Sequence, residues 1–201
     1  MIDKLESVFI AFREAEVKLL RELQRKQQEF HYEVRKGKVH FSVEANVLQK
    51  GFLKRLSLFV RDAPLLVLLT TPLIWFCALP IVFLDVIITI YQTVCFPIYG
   101  IPKVRRADFI LLDRHRLSYL NLIEKLNCHY CAYANGIFAY VTEVAARTEQ
   151  YWCPIKHALR MKGIHSRYQY FFDYGDAESY RTRIEQVRRD FKDLETKQPD
   201  T

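Results

Sequence analysis

The pattern of hydrophobic and polar positions divides the chain into three parts. Residues 63–102 contain a single formal charge, that of Asp85, whereas the segments on both sides are rich in Lys and Arg. Before and after this block, apolar residues recur with the periods of amphipathic helices and strands. We therefore expect an N-terminal arm over 1–62, a membrane block over 63–102 and a cytoplasmic helical domain over 103–201.

The N-terminal arm combines helical and strand-like periods. Apolar residues at three- and four-residue spacings predict an amphipathic helix over 2–29. Residues 30–42 alternate with period two around Gly37, which predicts a short β-hairpin. Residues 43–62 return to a helical period, with cations between aliphatic and aromatic residues, as in helices at the membrane interface. The stripe of the first helix consists of Leu5, Val8, Phe9, Phe12, Leu19 and Leu23.

The apolar block is long enough for two short helical crossings, since one crossing takes about 20 residues. Both flanks are basic, with Lys50, Lys54, Arg55 and Arg61 before the block and Lys103, Arg105 and Arg106 after it. The positive-inside rule therefore assigns both flanks to the cytoplasm. We expect a two-helix or re-entrant hairpin that turns near Pro80, with both termini cytoplasmic.

Asp85 is the ionisable group of this block. Carboxylates within a membrane are candidates for function, and Thr89, Gln92 and Thr93 could line the same side of the helix. In the alternative interpretation, which we favour, Asp85 lies at the hairpin turn among headgroups or water.

The C-terminal arm is expected to contain helices over 109–126, 132–150 and 176–197. Its cysteines and one histidine have the spacing C-x2-C, then 21 residues, then C-x3-H, formed by Cys128, Cys131, Cys153 and His157. A C-x2-C turn lets two thiolates reach one metal ion, and a helix that begins at Pro154 would place the histidine one turn beyond the third cysteine. The spacing therefore predicts that these four side chains share a metal.

Three sulfurs and one imidazole form a closed tetrahedral set for zinc, with iron as the alternative on the same ligands. Buried thiols and a dithiol redox pair are the other interpretations of these cysteines. A closed site supports structure, whereas a catalytic site needs further ligands. The candidates for that role are Asp113, His115, Glu143 and Glu149, and ion pairing, such as that of Glu143 with Arg147, is the alternative role of these acids.

Charge and missing motifs narrow the possible functions. The net charge of +7 suits an anionic lipid surface better than nucleic acid. Residues 1–28 do not resemble a cleaved signal peptide. The sequence contains no phosphate-binding glycine loop, no dinucleotide fingerprint, no G-x-S-x-G elbow and no H-E-x-x-H motif.

The sequence thus predicts a mainly α-helical membrane-anchored protein with an apolar hairpin, a short β-hairpin and a small metal-binding domain. The expected function is that of an accessory or scaffold subunit with a structural zinc site. Its expected partners are an anionic lipid bilayer and a protein partner or second copy, bound through the N- and C-terminal helices. The alternative is a membrane-bound metalloenzyme or redox protein that acts on a lipid or quinone-like substrate.

Overall fold

The computed structural model describes residues 2–35 and 38–195, and the side chains of 14–35 and 38–194. The predicted mainly helical class is confirmed, with 67% of the chain in helices and one two-stranded sheet. The elements are α1 (Ile2–Glu29), β1 (Tyr32–Arg35), β2 (Lys38–Phe41), α2 (Val43–Gly51), α3 (Leu56–Asp62), α4 (Leu65–Phe76), α5 (Ala78–Tyr99), α6 (Leu122–Trp152), α7 (Ala177–Val187) and α8 (Lys192–Glu195).

The chain divides into two compact units. The first comprises Met1–Ala63 and Asp113–Cys128, and the second comprises Pro64–Leu112 and His129–Thr201. Two sequence predictions lie outside what the structure describes: the hairpin turn at Gly37, and the side chains of Leu5, Val8, Phe9 and Phe12 in the helical stripe.

In the first unit, the predicted β-hairpin is present. Strands β1 and β2 pair antiparallel, with Tyr32 opposite Phe41, and the rings of these two residues are 5.6 Å apart. Ser42 then caps α2 by accepting a hydrogen bond from the backbone N–H of Ala45 at 3.1 Å. The single helix expected over 43–62 is divided into α2 and α3, because Gly51, a poor helix former, ends α2.

The apolar block forms one helix, Leu65–Tyr99, of 35 residues, where two antiparallel arms were expected. The predicted turn near Pro80 is absent from this helix. α4 and α5 meet at Cys77, whose φ and ψ of −63° and −14° are helical, so the chain continues in the same direction. Pro80 lies in the first turn of α5, where its missing N–H breaks no helical hydrogen bond.

α6 is also one continuous helix, of 31 residues. The helix expected over 132–150 is therefore confirmed but is longer than predicted, whereas the helix expected over 109–126 is α-helical only from Leu122 onward, and the predicted break between the two is wrong. A capping box at Asn121 and Glu124, with hydrogen bonds of 3.0 and 2.8 Å, starts α6 there. Residues 127–131 contain no Gly or Pro that would stop the helix. Gly136 does not break it either, because the backbone of Phe109 packs directly on that glycine.

In the second unit, the apolar helix and α6 run parallel. The rings of Trp75 and Tyr130 are 5.3 Å apart at one end of the contact, and those of Tyr99 and Tyr151 are 5.1 Å apart at the other. Between these ends, Ile81 packs with Ile137, and further along Phe96 packs with Tyr140 and Val144. Parallel helices need a connection that runs back along them.

We call residues 100–112 the return segment. It begins at Gly100, whose φ of +68° ends α5, and the N–H of Ile101 donates to the carbonyl of Phe96 at 2.9 Å. Val104 packs beside Phe96, and Ile110 packs near Ile81 at the other end of the helix pair. The return segment thus covers one side of both helices.

The final part of the second unit packs around α6 through α7 and α8. Asp176 caps α7 by accepting from the N–H of Ser179 at 3.0 Å, as its predicted place near the helix start implies. The single helix expected over 176–197 instead ends at Val187 and resumes briefly as α8. Val187 and Phe191 are 8% and 3% exposed, so this apolar face belongs to the core.

Candidate functional site

Asp85 forms a bidentate ion pair with Arg106. The Arg106 Nε atom donates to Asp85 Oδ1 at 3.0 Å, and Arg106 Nη2 donates to Oδ2 at 2.5 Å. The Tyr133 hydroxyl donates to Oδ2 at 2.7 Å, and Thr89 donates weakly to Oδ1 at 3.4 Å. Burial, together with the hydrogen bond to Asp85, raises the pKa of Tyr133. Asp85 therefore fastens α5 to the return segment and to α6.

This position overturns the favoured interpretation of Asp85. The residue lies within α5, is 8% exposed and is paired, so it is not at a turn. Thr89 lies on the same side, as expected. Thr93 does not: its hydroxyl is exposed and donates to the carbonyl of Thr89 at 2.6 Å.

Gln92 forms a second polar contact two turns further along α5. Its Nε2 donates to the Tyr140 hydroxyl at 2.6 Å and to the Val104 carbonyl at 3.2 Å. Its Oε1 accepts from the Val104 N–H at 2.9 Å. Every polar atom of the amide thus has a partner, which is what a buried amide requires. These bonds hold the return segment against the C-terminal half of α5.

The remaining surface of the apolar helix is hydrophobic and uncovered. α4 contains no buried residue, and only 11% of the most apolar stretch of Leu65–Tyr99 is buried. Leu66 is 75% exposed, Phe83 67% and Ile98 73%. We define the outer stripe as the exposed apolar residues of α5: Leu79, Val82, Phe83, Val86, Ile87, Ile90, Val94 and Ile98.

The four predicted metal ligands lie at opposite ends of α6. Cys128 and Cys131 are in its second and third turns, Cys153 directly follows its last residue, and His157 is exposed beyond that. A helix rises 1.5 Å per residue, so about 33 Å of helix separates Cys131 from Cys153. Among the described residues, no three His, Cys, Asp or Glu side chains are grouped to hold a metal ion. The continuity of α6 keeps the two cysteine groups apart.

The four candidate catalytic residues are divided between the two units, two in each. Asp113 and His115 are exposed around the short helical turn Arg114–Arg116 of the first unit. In the second unit, Glu143 accepts from Arg147 at 2.8 Å and from Ser166 at 2.6 Å.

Glu149 Oε2 lies 3.0 Å from His165 Nε2, in an orientation that forms no hydrogen bond. The structure therefore gives Glu143, paired with Arg147, the ion-pairing role that was its alternative in the sequence.

Sequence reasoning missed the role of Arg167. This residue is 1% exposed, and its guanidinium donates to Gln150 Oε1, to Asp193 Oδ2 at 2.7 Å and to the Asp190 carbonyl at 3.1 Å. It also stacks 4.4 Å from the Tyr170 ring centroid. One arginine among many carries no pattern that reveals burial. Arg106 was likewise counted as a basic flank rather than as the counter-ion of Asp85.

No family model, no curated protein and no solved structure matches this chain.

Proposed function

We propose that this chain is a membrane-anchored accessory or scaffold protein. One observation carries the proposal: a 35-residue apolar helix has only 11% of its most apolar stretch buried. A helix in the core of a soluble protein would be mostly covered, and exposed apolar patches of this size mark interaction surfaces. Burying each half-exposed Leu, Ile, Val or Phe contributes roughly 1 kcal/mol, so the many exposed side chains together favour a bilayer strongly.

Exposed apolar and basic residues of the first unit support the proposal that the chain binds an anionic membrane surface. Val47, Leu48 and Phe52 are 65%, 66% and 81% exposed on α2 and at its end. Lys50, Lys54, Arg55 and Arg61 accompany them in this short stretch. Each cation near an anionic membrane contributes about 1 kcal/mol. The segment directly precedes the apolar helix in the sequence, which suits a helix pair in the headgroup region.

α1 is the surface that we propose for a protein partner or a second copy. Val17, Leu19, Leu20 and Leu23 are 44–60% exposed along it. The C-terminal helix, which was predicted to share this role, instead buries Val187 and Phe191 in the second unit. The partner role is therefore proposed for α1 alone, and the alternative of a metalloenzyme or redox protein gains no specific support from Glu143 or Glu149.

Vesicle flotation tests the anchor. The purified full chain, diluted from detergent, is mixed with vesicles of phosphatidylglycerol and phosphatidylcholine and centrifuged through a density gradient. We expect the protein to float with the vesicles and to remain bound in 1 M salt, because acyl-chain contacts are not screened. The double variant Leu66→Asp/Leu73→Asp should lose most of the floating fraction, whereas the exposed Gln169→Asp control should float like the parent chain.

A chain that stays soluble and monomeric without detergent, and that never floats, would overturn the proposal. Circular dichroism of each variant shows whether the helical content is retained, so that loss of flotation is not confused with unfolding.

A further inference from the structure

We infer that the apolar helix lies along a single leaflet of the bilayer, with the outer stripe facing the acyl chains, and does not cross the membrane. This inference rests on the proposed function, since it states how the anchor contacts lipid. The occupant of the outer stripe is thus the hydrocarbon of one leaflet, beneath anionic headgroups.

Cations beside the C-terminal half of α5 argue against a crossing by this helix. Val104 is hydrogen-bonded to Gln92 at 2.9 Å, which places its neighbours Lys103 and Arg105 beside a point about 10 Å before the end of α5. Both neighbours are exposed. If α5 crossed the bilayer, these two cations would lie within the hydrocarbon, at a cost of about 3 kcal/mol each. Along a leaflet, the same side chains point toward headgroups and water.

A crossing by the first half of the apolar helix meets a similar obstacle. Residues 65–84 are twenty consecutive uncharged positions, which is enough for one span. Trp75 lies at their centre, however, and its ring packs 5.3 Å from that of Tyr130 on α6. His129 adjoins Tyr130 on that helix. A span over 65–84 would draw this polar part of α6 into hydrocarbon.

The outer stripe has the geometry of a helix that lies in the membrane plane. Its members recur every three or four residues from Leu79 to Ile98, so they share one side of α5. Asp85 and Gln92 are on the opposite side, where the return segment and α6 satisfy them. α5 thus presents exposed apolar residues on one side only, while its other side, which includes Ile81 and Phe96, is covered by protein.

The distribution of cations agrees with this placement. Lys50, Lys54, Arg55 and Arg61 precede the apolar helix, and Lys103 and Arg105 follow it. A single crossing would separate these two groups, whereas a helix along one leaflet leaves both on the same face of the membrane. Both groups of cations can therefore contact the anionic headgroups of the same leaflet.

Depth-dependent fluorescence quenching tests the orientation. All five native cysteines are replaced by serine, and single cysteines are introduced at Leu73, Phe83, Ile90 and Ile98 for an environment-sensitive dye. Vesicles of phosphatidylglycerol and phosphatidylcholine contain lipids with a spin-label quencher at a shallow or a deep acyl position. These sites extend over about 37 Å of helix. We expect nearly equal, shallow depth at all four, and strong aqueous quenching at Lys103→Cys and Ala107→Cys controls.

A depth profile that passes through the bilayer centre would overturn the inference and leave the proposed function standing. Labels on the outer stripe that are shielded from both lipid and aqueous quenchers would mean that a second copy covers the stripe, which also overturns it. If the cysteine-free chain does not float although the parent chain does, Cys95, which is half-buried, is restored in the chain used for labelling. Failure of the parent chain to float would reject the proposed function itself.

Discussion

Arg106 and Asp85 are joined by two hydrogen bonds, of 3.0 and 2.5 Å, across 21 positions of sequence. The two partners differ in exposure, since the side chain of Asp85 is 11% exposed and that of Arg106 is 46% exposed. Removing Arg106 therefore leaves an almost buried carboxylate without its counter-ion. Removing Asp85 leaves a guanidinium that is about half exposed to solvent.

Arg106→Ala is expected to destabilise the second unit by about 1–2 kcal/mol, because it leaves Asp85 buried without its counter-ion. The cost is below that of breaking a fully buried pair, since solvent screens Arg106. Denaturant unfolding in mild detergent, followed by circular dichroism, measures it. Arg105→Ala, at the exposed neighbouring position, should stay within about 0.5 kcal/mol of the parent. Equal effects of the two substitutions would contradict the role of the pair.

Gly136→Ala should destabilise the chain by about 1–3 kcal/mol, since overpacking displaces backbone. A Cβ atom at this position would lie 2.8 Å from the Phe109 carbonyl oxygen and 3.0 Å from Ile110 Cα. Gly51→Ala is the matched control, because it is also helical and its added Cβ would meet nothing within 4 Å. The control should be neutral or slightly stabilising. A tolerated Gly136→Ala would show that the return segment is not seated on α6.

Arg167→Lys should cost about 2–4 kcal/mol although it preserves the charge. A lysine cannot reproduce the planar fork that reaches Gln150 and Asp193 together, nor the stacking on Tyr170. Thermal unfolding of the detergent-solubilised chain measures the loss. Arg160→Lys provides the comparison at an exposed position, where no change is expected. A small effect at Arg167 would mean that charge alone supports this part of the fold.

Acidification below about pH 4 should weaken the second unit through Asp193. Burial raises the pKa of this carboxyl, but the hydrogen bond and the charge of Arg167 outweigh burial and hold the pKa below its usual value. A depressed pKa contributes stability above the unfolded value of about 3.9, and that stability is lost as pH falls through the folded pKa. The free energy of unfolding of Asp193→Asn should therefore fall less steeply between pH 5 and pH 2. Identical slopes for both chains would exclude the contribution.

Metal analysis tests whether the cysteine and histidine side chains share a zinc ion, as the sequence predicts. Since about 33 Å of α6 separates Cys131 from Cys153, we expect no stoichiometric zinc in the chain purified under reducing conditions. Mass spectrometry of metals, with Cys128→Ser and Cys77→Ser as a matched pair, decides the matter. One zinc per chain that is lost only with Cys128→Ser would mean that α6 bends or breaks in the metal-bound protein.

Several features could be predicted from the sequence because they depend on short-range order. The period-two alternation around 30–42 specifies a β-hairpin, and the apolar run over 63–102, with Asp85 as its single charge, specifies apolar helical structure. The spacing of Asp85, Thr89 and Gln92, at four and then three residues, places them on one side of that helix. Each of these inferences needs only the geometry of one element.

The predicted membrane hairpin and the predicted break within α6 were wrong because both depend on tertiary contacts. A proline near the start of a helix and a glycine inside one are ambiguous in sequence, and their effect depends on what packs against them. Pro80 falls in a first turn, where it is tolerated, and Gly136 gives room to the backbone of Phe109. Neither neighbour is visible in a local pattern.

The sequence by itself determined that the chain is mainly helical, that it contains an apolar segment with a single charged residue, and that cations lie on both sides of that segment. Those properties follow from composition and from periods of two and 3.6 residues. Only the tertiary structure decided that Arg106 neutralises Asp85, that Arg167 is buried, and that Cys131 and Cys153 lie far apart. Such relations join residues 17 or more positions apart, so they depend on which elements pack together and on the length of α6.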